Sequence, residues 1–404
     1  MDILDLLANK EFIQPIFLPI FSADDQQIIG YEVQGRYKTN QVWDIQSFIQ
    51  DQVPEEYIEE IELEYMNKMI PFISEESNDK LYFVFCNPNR LKSINLDDFI
   101  EYLLSFSNYG VSLKQWVLII QEYEFSGPNG DLYRMIKYLK SCGVKIAVNG
   151  IGKEDSHLNR IGGMNPDIII VSLNKLQQTS VNVSYHHVLQ AITVLARKTG
   201  ATILFENIMT EYQLHYAWKN NGRYFHGPFL SDETMSPVQN DCKKEFLKNE
   251  MQRYIRLEKK RLAKIEEFTD KLNNKMNENL AKIRKIESYD KTLEYLSALF
   301  MKKAFRVYIC DEDGFQISSN FTMREDSKWI FEKEYINKNW SWRPYFLATI
   351  QKLQIEQKGN LSELYHDLET GQNIRTFAYP ISESSYVFID ITYNYLYAED
   401  LLQL

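Results

Sequence analysis

The sequence predicts an α/β protein: a TIM-like (β/α)8 barrel over residues 1–240, a long helix over 241–303 and a small α+β domain over 304–404. Three observations carry this. Short apolar runs alternate with amphipathic stretches between residues 80 and 230, glycine and proline are absent from 241–303, and β-rich runs resume after 304. The length agrees, because 404 residues hold about two or three domains and a barrel takes about 250.

The elements follow in order. Phe17 to Tyr37 reads as two extended runs around the polar turn Ser22-Ala23-Asp24-Asp25. Leu81–Phe85, Trp116–Ile120, Val144–Val148, Asp167–Val171 and Ala201–Phe205 come next. Each is too short for a helix, rich in β-branched or aromatic residues and nearly continuous in apolarity, as a buried parallel strand is. Helical stripes lie between them, such as Leu132, Met135, Ile136 and Leu139, or Val188, Ile192, Leu195 and Ala196. Gly143 and Gly200 sit where left-handed caps end two of these helices. Tyr224-Phe225-His226 is a last strand. A doubly wound open sheet would use the same alternation, but no Gly-rich phosphate loop follows an early strand.

Leu262, Ile265, Phe268, Leu272, Met276, Leu280 and Ile283 step by three or four, so 241–303 reads as one long amphipathic helix. Its stripe suits either a partner helix, hence a homodimer, or packing within its own chain. Beyond it, Phe305–Cys310 and Gln316-Ile317-Ser318 flank the turn Asp311–Gly314, and Ile374–Tyr379 pairs with Tyr386–Ile391.

Composition narrows the function. A net charge of −11 disfavours a chain-wide grip on nucleic acid. Cys86, Cys142, Cys242 and Cys310 form no CxxC pair and read as reduced thiols. The acidic start Met1–Asp5 is unlike a signal peptide, and no apolar run is long enough for a membrane span. A cytoplasmic protein is expected. No Gly-x-Ser-x-Gly elbow is present, and His186-His187 read as surface residues of a helix start. Trp340, Trp342 and Tyr345 are candidates to line a small-ligand pocket in the tail.

In a parallel barrel, chemistry gathers where the strands end. Those ends carry Glu32 with Arg36, Asn87, Gln121 with Glu122, Asn149, Ser172, Glu206 with Asn207, and His226. Such a ring of oxygens suits a hard cation, although strand ends are polar wherever they meet water.

These residues also carry a resemblance. Tyr31-Glu32-Val33-Gln34-Gly35-Arg36 resembles the Glu-Ala-Leu-x-Arg signature of EAL domains, barrels that bind and hydrolyse cyclic di-GMP. In register over residues 15–235 follow Phe85-Cys86-Asn87, Lys145–Gly152 against an Asp-Asp-Phe-Gly segment, and Pro166-Asp167. Phe205–Ile208 is similar to a Glu-Gly-Val-Glu segment, and Phe225-His226-Gly227 to a Gln-Gly turn. The long helix and tail, with Asn339–Phe346, resemble a subgroup whose tail is PAS-like or Cache-like.

The resemblance implies Glu32, Asn87 and Glu206 as remnant metal ligands, Glu206 also standing at the general-base position, and Arg36 and Gln34 as nucleotide contacts. It also marks departures. Ile119 replaces a Glu (Gln121 in a register shifted by two), Asn149 and Gly150 an Asp pair, Ile170 a Lys, Ser172 an Asp, Met209 a Glu and His226 a Gln. Glu122 keeps its place, and Glu154 or Asp155 follow as substitutes.

Two-metal hydrolysis needs anionic ligands to offset the repulsion of close ions, and these replacements remove them. The expectation is therefore a catalytically degenerate, regulatory or scaffold module needing no cofactor. It would meet cyclic di-GMP, a tail ligand or an unidentified protein partner. The alternative is an active cyclic di-GMP phosphodiesterase using Mg²⁺ or Mn²⁺ and releasing linear pGpG.

Overall fold

The computed structural model describes residues 3–39, 42–45, 54–73, 79–121, 125–150, 158–174, 176, 183–324, 326–343 and 346–402. Glu122, Glu154, Asp155 and Tyr345 lie outside them, and the side chains of His186 and His187 are likewise not described. The chain divides into two compact units, Met1–Tyr254 and Ile255–Leu404.

The first unit is a closed barrel. Its strands are β1 (Ile13–Ser22), β2 (Ile28–Lys38), β3 (Val42–Asp44), β4 (Leu81–Phe85), β5 (Trp116–Gln121), β6 (Lys145–Asn149), β7 (Ile168–Ser172), β8 (Thr202–Glu206) and β9 (Gly222–Phe225). They pair in the order β1-β9-β8-β7-β6-β5-β4-β2, with β1 returning to β2 to close the ring, while β3 only flanks β2. Every pairing from β2 through β9 around the ring is parallel, but β1 runs antiparallel to both its neighbours. The link from Ser22 to Ile28 explains this: so short a turn joins only antiparallel strands, whereas parallel ones need a crossover. Gly143 (φ +104°) and Gly200 (φ +74°) end helices in the left-handed conformation that their sequence position predicts.

Alternation along the strands separates two apolar layers. Tyr82, Val84, Leu118, Ile120, Ile146, Val148, Ile169, Val171, Ile203 and Phe205 face the surrounding helices. Ile20, Phe83, Val117, Ile119, Ala147, Ile168, Ile170 and Leu204 form the separate cluster that fills the barrel. A strand of period two therefore sends its inner row onward to the mouth, two residues further along.

At the closing turn, Gly227 (φ +150°) lies against the backbone of Ile208; a Cβ there would stand 2.2 Å from its nitrogen. The amide of Ile208 donates to the carbonyl of His226 (3.2 Å), so this contact ties β8 to the end of β9.

The second unit is an antiparallel sheet with helices. β10 (Ala304–Asp311), β11 (Asn320–Met323), β12 (Trp329–Glu332), β13 (Asn360–Leu361), β14 (Tyr365–His366), β15 (Asn373–Pro380) and β16 (Ser385–Ile391) follow in sequence. Their order is β12-β11-β10-β16-β15-β13, with β14 on β15. The return strand expected at Gln316–Ser318 makes one isolated bridge there, and regular pairing with β10 begins at β11. Gln316 and Ser318 instead bury their polar side chains in a local hydrogen-bond cluster that uses the Ser318 and Ser319 carbonyls and the Asn320 amide oxygen.

The single helix expected over 241–303 is two, Lys244–Ile283 and Tyr289–Leu299. Ser288 stands extended at the N-cap of the second, with Asp290 in its first turn, although its hydroxyl makes no capping hydrogen bond. Phe268, Leu272, Met276 and Ile283 are buried in the second unit's own core, so that part of the stripe is already covered.

Arg306 fastens this sheet. Its guanidinium donates to Asp390 (2.6 Å), Asp367 (2.7 Å) and Glu369 (2.6 Å), and Asp390 is fully buried beside its cross-strand partner.

Two outcomes follow. Arg306→Met leaves buried carboxylates uncompensated and should cost about 3–5 kcal/mol, read as faster hydrogen exchange across β10 and β16. Unchanged exchange would show that the network adds nothing. Gly227→Ala should lower stability by about 2 kcal/mol or more in urea unfolding, because backbone must move to admit the methyl; a neutral change would contradict the close packing described.

Candidate functional site

The inner rows of the barrel end in polar residues: Glu32 and Gln34 on β2, Asn87 after β4, Gln121 on β5, Asn149 on β6, Ser172 on β7, Glu206 on β8 and His226 after β9. Three of these converge. Nε2 of His226 lies 3.5 Å from Oε2 of Glu32 and 3.9 Å from Oε2 of Glu206. Gln34 donates to Oε1 of Glu32 (2.6 Å), and Asn149 donates to Oε2 of Glu206 (3.3 Å). His226 is buried, only 5% exposed, while Glu32 and Glu206 are half-buried.

Its electrostatics follow from that burial. Desolvation raises the Glu32 carboxyl above the ordinary carboxylate range, opposed by the charge of His226 and reinforced by Glu206. For His226, burial disfavours the imidazolium, but attraction to Glu206 and Glu32 outweighs it and the ring is held above its usual value.

The remaining predicted residues are dispersed. Asn87 turns its amide oxygen onto the backbone nitrogen of Asn89 (2.9 Å), and Asn149 turns its own onto that of Gly150 (2.5 Å). Ser172 accepts from Asn207 (3.0 Å), whose left-handed backbone (φ +60°) follows β8. Ile119 and Ile170 belong to the apolar filling one step below the mouth, and Met209 is exposed. Arg36, expected to meet a phosphate, pairs with Asp44 (2.8 Å) and Glu233 (2.9 Å). Gln34, also a nucleotide candidate, bonds to Glu32.

Sequence reasoning missed both acids that pair with Arg36 and one further cluster. Asp44 lies opposite Arg36 across the β2–β3 pairing and Glu233 lies 197 residues away, and neither carries a motif. A second cluster, Glu211, His215 and Glu250, joins the helix Glu211–Lys219 to the long helix, with His215 at 3.7 Å and 3.4 Å from the two acids. The four-residue step from Glu211 to His215 was its one legible sign.

In the second unit a cavity of about 150 Å³ is lined by Tyr308, Tyr335, Trp340, Trp342, Arg343 and Asp367, among others. Arg343 lies over the Trp340 ring at 4.5 Å. Two of the three aromatics singled out in the sequence thus reach one cavity.

Comparison with known proteins accounts for this arrangement. Residues 2–233 match the EAL domain family, and residues 237–403 match the EAL-domain associated signalling protein domain. The EAL-domain containing protein YkuI of Bacillus subtilis (strain 168) is 39% identical over 406 residues, 99% of either chain. The crystal structure of Bacillus subtilis YkuI, in complex with substrate c-di-GMP and calcium, has a TM-score of 0.94 at 38% identity and covers 100% of both chains. The PaMucR phosphodiesterase in a c-di-GMP complex shares the barrel fold (TM-score 0.52, 15% identity, 58% of this chain and 98% of that one). No helix among the described residues is long and apolar enough to cross a membrane. The chain therefore belongs to the EAL-domain family, joined to that family's associated signalling domain.

Proposed function

We propose that this barrel is a cyclic di-GMP-reading module with little or no phosphodiesterase activity, acting as a regulatory or scaffold protein. The observation that carries the reading is the composition of the mouth. Among the described residues, two carboxylates converge there, and the third member of the cluster is an imidazole.

Mg²⁺ and Mn²⁺ are the ions the family would use. The described donors do not fit a pair of them. Hard cations want about six oxygens each, and two adjacent ions need bridging anions. Here Asn87 and Asn149 direct their amide oxygens at backbone, and Ile119 and Ile170 offer no donor. Binding asks less of the site. YkuI, which is similar over its full length, is seen with c-di-GMP and calcium, and this supports retention of the nucleotide here. Arg36 is the residue suited to a phosphate oxygen, since a guanidinium pairs well with it.

The tail is read as a PAS-like or Cache-like sensor whose aromatic cavity takes a small ligand. The exposed Ile255, Leu257 and Leu262 suit a homodimer, and the free cysteines suit a cytoplasmic setting. The division into barrel, helix and tail at residues 240 and 303 is part of the same reading.

Incubation with cyclic di-GMP and Mg²⁺ or Mn²⁺ should give no linear pGpG in proportion to protein, while calorimetry detects binding. Product formation at a rate that scales with protein would establish the phosphodiesterase instead. Arg36→Ala should weaken binding about 10-fold or more, the loss of a charge-assisted contact. Glu233→Gln should tighten it, because Arg36 then exchanges one carboxylate fewer for phosphate; weaker binding in that variant would remove Arg36 from the nucleotide's contacts.

A further inference from the structure

We infer that Glu211, His215 and Glu250, a set of donors distinct from the mouth cluster, form a site for one borderline divalent ion of the Zn²⁺ or Co²⁺ class that clamps the start of the long helix to the helix after β8. This goes beyond nucleotide reading and does not depend on it. The first ground is where the donors come from. Glu211 and His215 stand four residues apart on the helix Glu211–Lys219, a step that puts both side chains on one face. Glu250 lies in the first two turns of the long helix, within the same compact unit. Facing helices build metal centres from side chains placed in this way.

The second ground is a set of unanswered polar atoms. Nε2 of His215 and Oε2 of Glu250 face each other at 3.4 Å, both shut off from solvent, and neither has a hydrogen-bond partner among the described residues. The indole nitrogen of Trp218, whose ring stacks on His215 at 5.7 Å, is a third such atom. Buried polar groups are nearly always answered by protein, water or an ion. A cation between a ring nitrogen and a carboxylate oxygen answers both at once.

Geometry and donor type are the third ground. One nitrogen of His215 and one oxygen from each acid lie within 4.8 Å of one another. Metal–ligand bonds of roughly 2.1 Å at tetrahedral angles hold ligand atoms about 3.4 Å apart. The His215–Glu250 separation has that value already, and Glu211, with its side chain 34% exposed, can turn inward. Arg253 holds Oε2 of Glu211 (2.7 Å), which leaves Oε1 toward the imidazole at 3.7 Å. An outer partner of this kind directs a ligand oxygen. That guanidinium is itself 54% exposed, so solvent screens its charge from the ion. An imidazole with two carboxylates suits Zn²⁺ and its neighbours, whereas Mg²⁺ and Ca²⁺ take oxygen. Two ionised acids and a neutral ring also balance one divalent charge.

The metal-free full-length protein is titrated with Co²⁺ in excess Mg²⁺ and without nucleotide, so that any site preferring hard cations is already filled. The expected result is the intense visible absorption of four- or five-coordinate Co²⁺, saturating at one equivalent and erased by Zn²⁺. His215→Ala and Glu250→Gln should each lower Co²⁺ affinity about 100-fold or more, given that even outer-shell partners are worth about 10–100-fold. Glu206→Gln, at the mouth, should leave the band intact. Zn²⁺ should also slow amide hydrogen exchange over residues 246–254, an effect lost in Glu250→Gln. Should His215→Ala fail to fold by circular dichroism, Glu250→Gln carries the same expectation. The inference is overturned if no such band forms, if the band survives either substitution in folded protein, or if it disappears in Glu206→Gln. None of these outcomes touches nucleotide binding, which calorimetry with cyclic di-GMP judges separately.

Discussion

Closing eight strands into a ring sends alternate side chains of every strand into one shared interior, and this constraint governs the first unit. The interior must be filled, so its lower positions are Phe83, Val117, Ile119, Ala147, Ile168, Ile170 and Leu204. The next inward position on each strand meets the mouth, where polar side chains no longer lose water entirely. Glu32, Asn149, Ser172 and Glu206 are therefore continuations of apolar rows. A carboxylate and an isoleucine separated by two residues on one strand do different work because the floor of the mouth falls between them.

The cluster at that mouth is an electrostatic compromise. Two acids close together in a half-buried site repel each other, and desolvation raises the cost further. An imidazole between them supplies a positive charge when protonated, and a ligand atom when neutral. A glutamine in its place would supply no positive charge, and would offer an amide oxygen suited to hard cations instead of an imidazole nitrogen. The side chain at residue 226 therefore sets the charge balance between the two acids, while the backbone turn beside it is fixed by Gly227 against Ile208.

Much of the fold was legible because periodicity reports backbone geometry directly. Strands β4 to β8 fall within one residue of their apolar runs, and the two glycine caps adopt the positive φ they imply. The break at Ser288 was visible as a capping residue, but composition masked it. In the site, the strand-end list contained every member of the Glu32–Glu206–His226 cluster, since inward rows are predictable from register. Their convergence was not, because it depends on ring closure bringing β9 back beside β1, one strand from β2. Nor were the partners of Arg36: Asp44 sits on a short flanking strand, and Glu233 lies on a loop 197 residues away, a separation that leaves no periodic trace.

The distinction between binding and hydrolysis rests on when each interaction is made. A nucleotide is held by contacts present in its ground state, such as an arginine on a phosphate oxygen. Hydrolysis additionally requires groups that stabilise charge only as the attacking oxygen arrives, and those are the bridging anions and the ions they hold. Loss of such groups removes rate while leaving ground-state contacts in place. On the proposed reading, a mouth that has Arg36 and two acids, but directs the amide oxygens of Asn87 and Asn149 at backbone and has isoleucine at the next inward positions, lacks mainly the second kind. Affinity without turnover is the state in which a barrel reports a nucleotide instead of consuming it, and a tail with its own independent core is then free to add a second input.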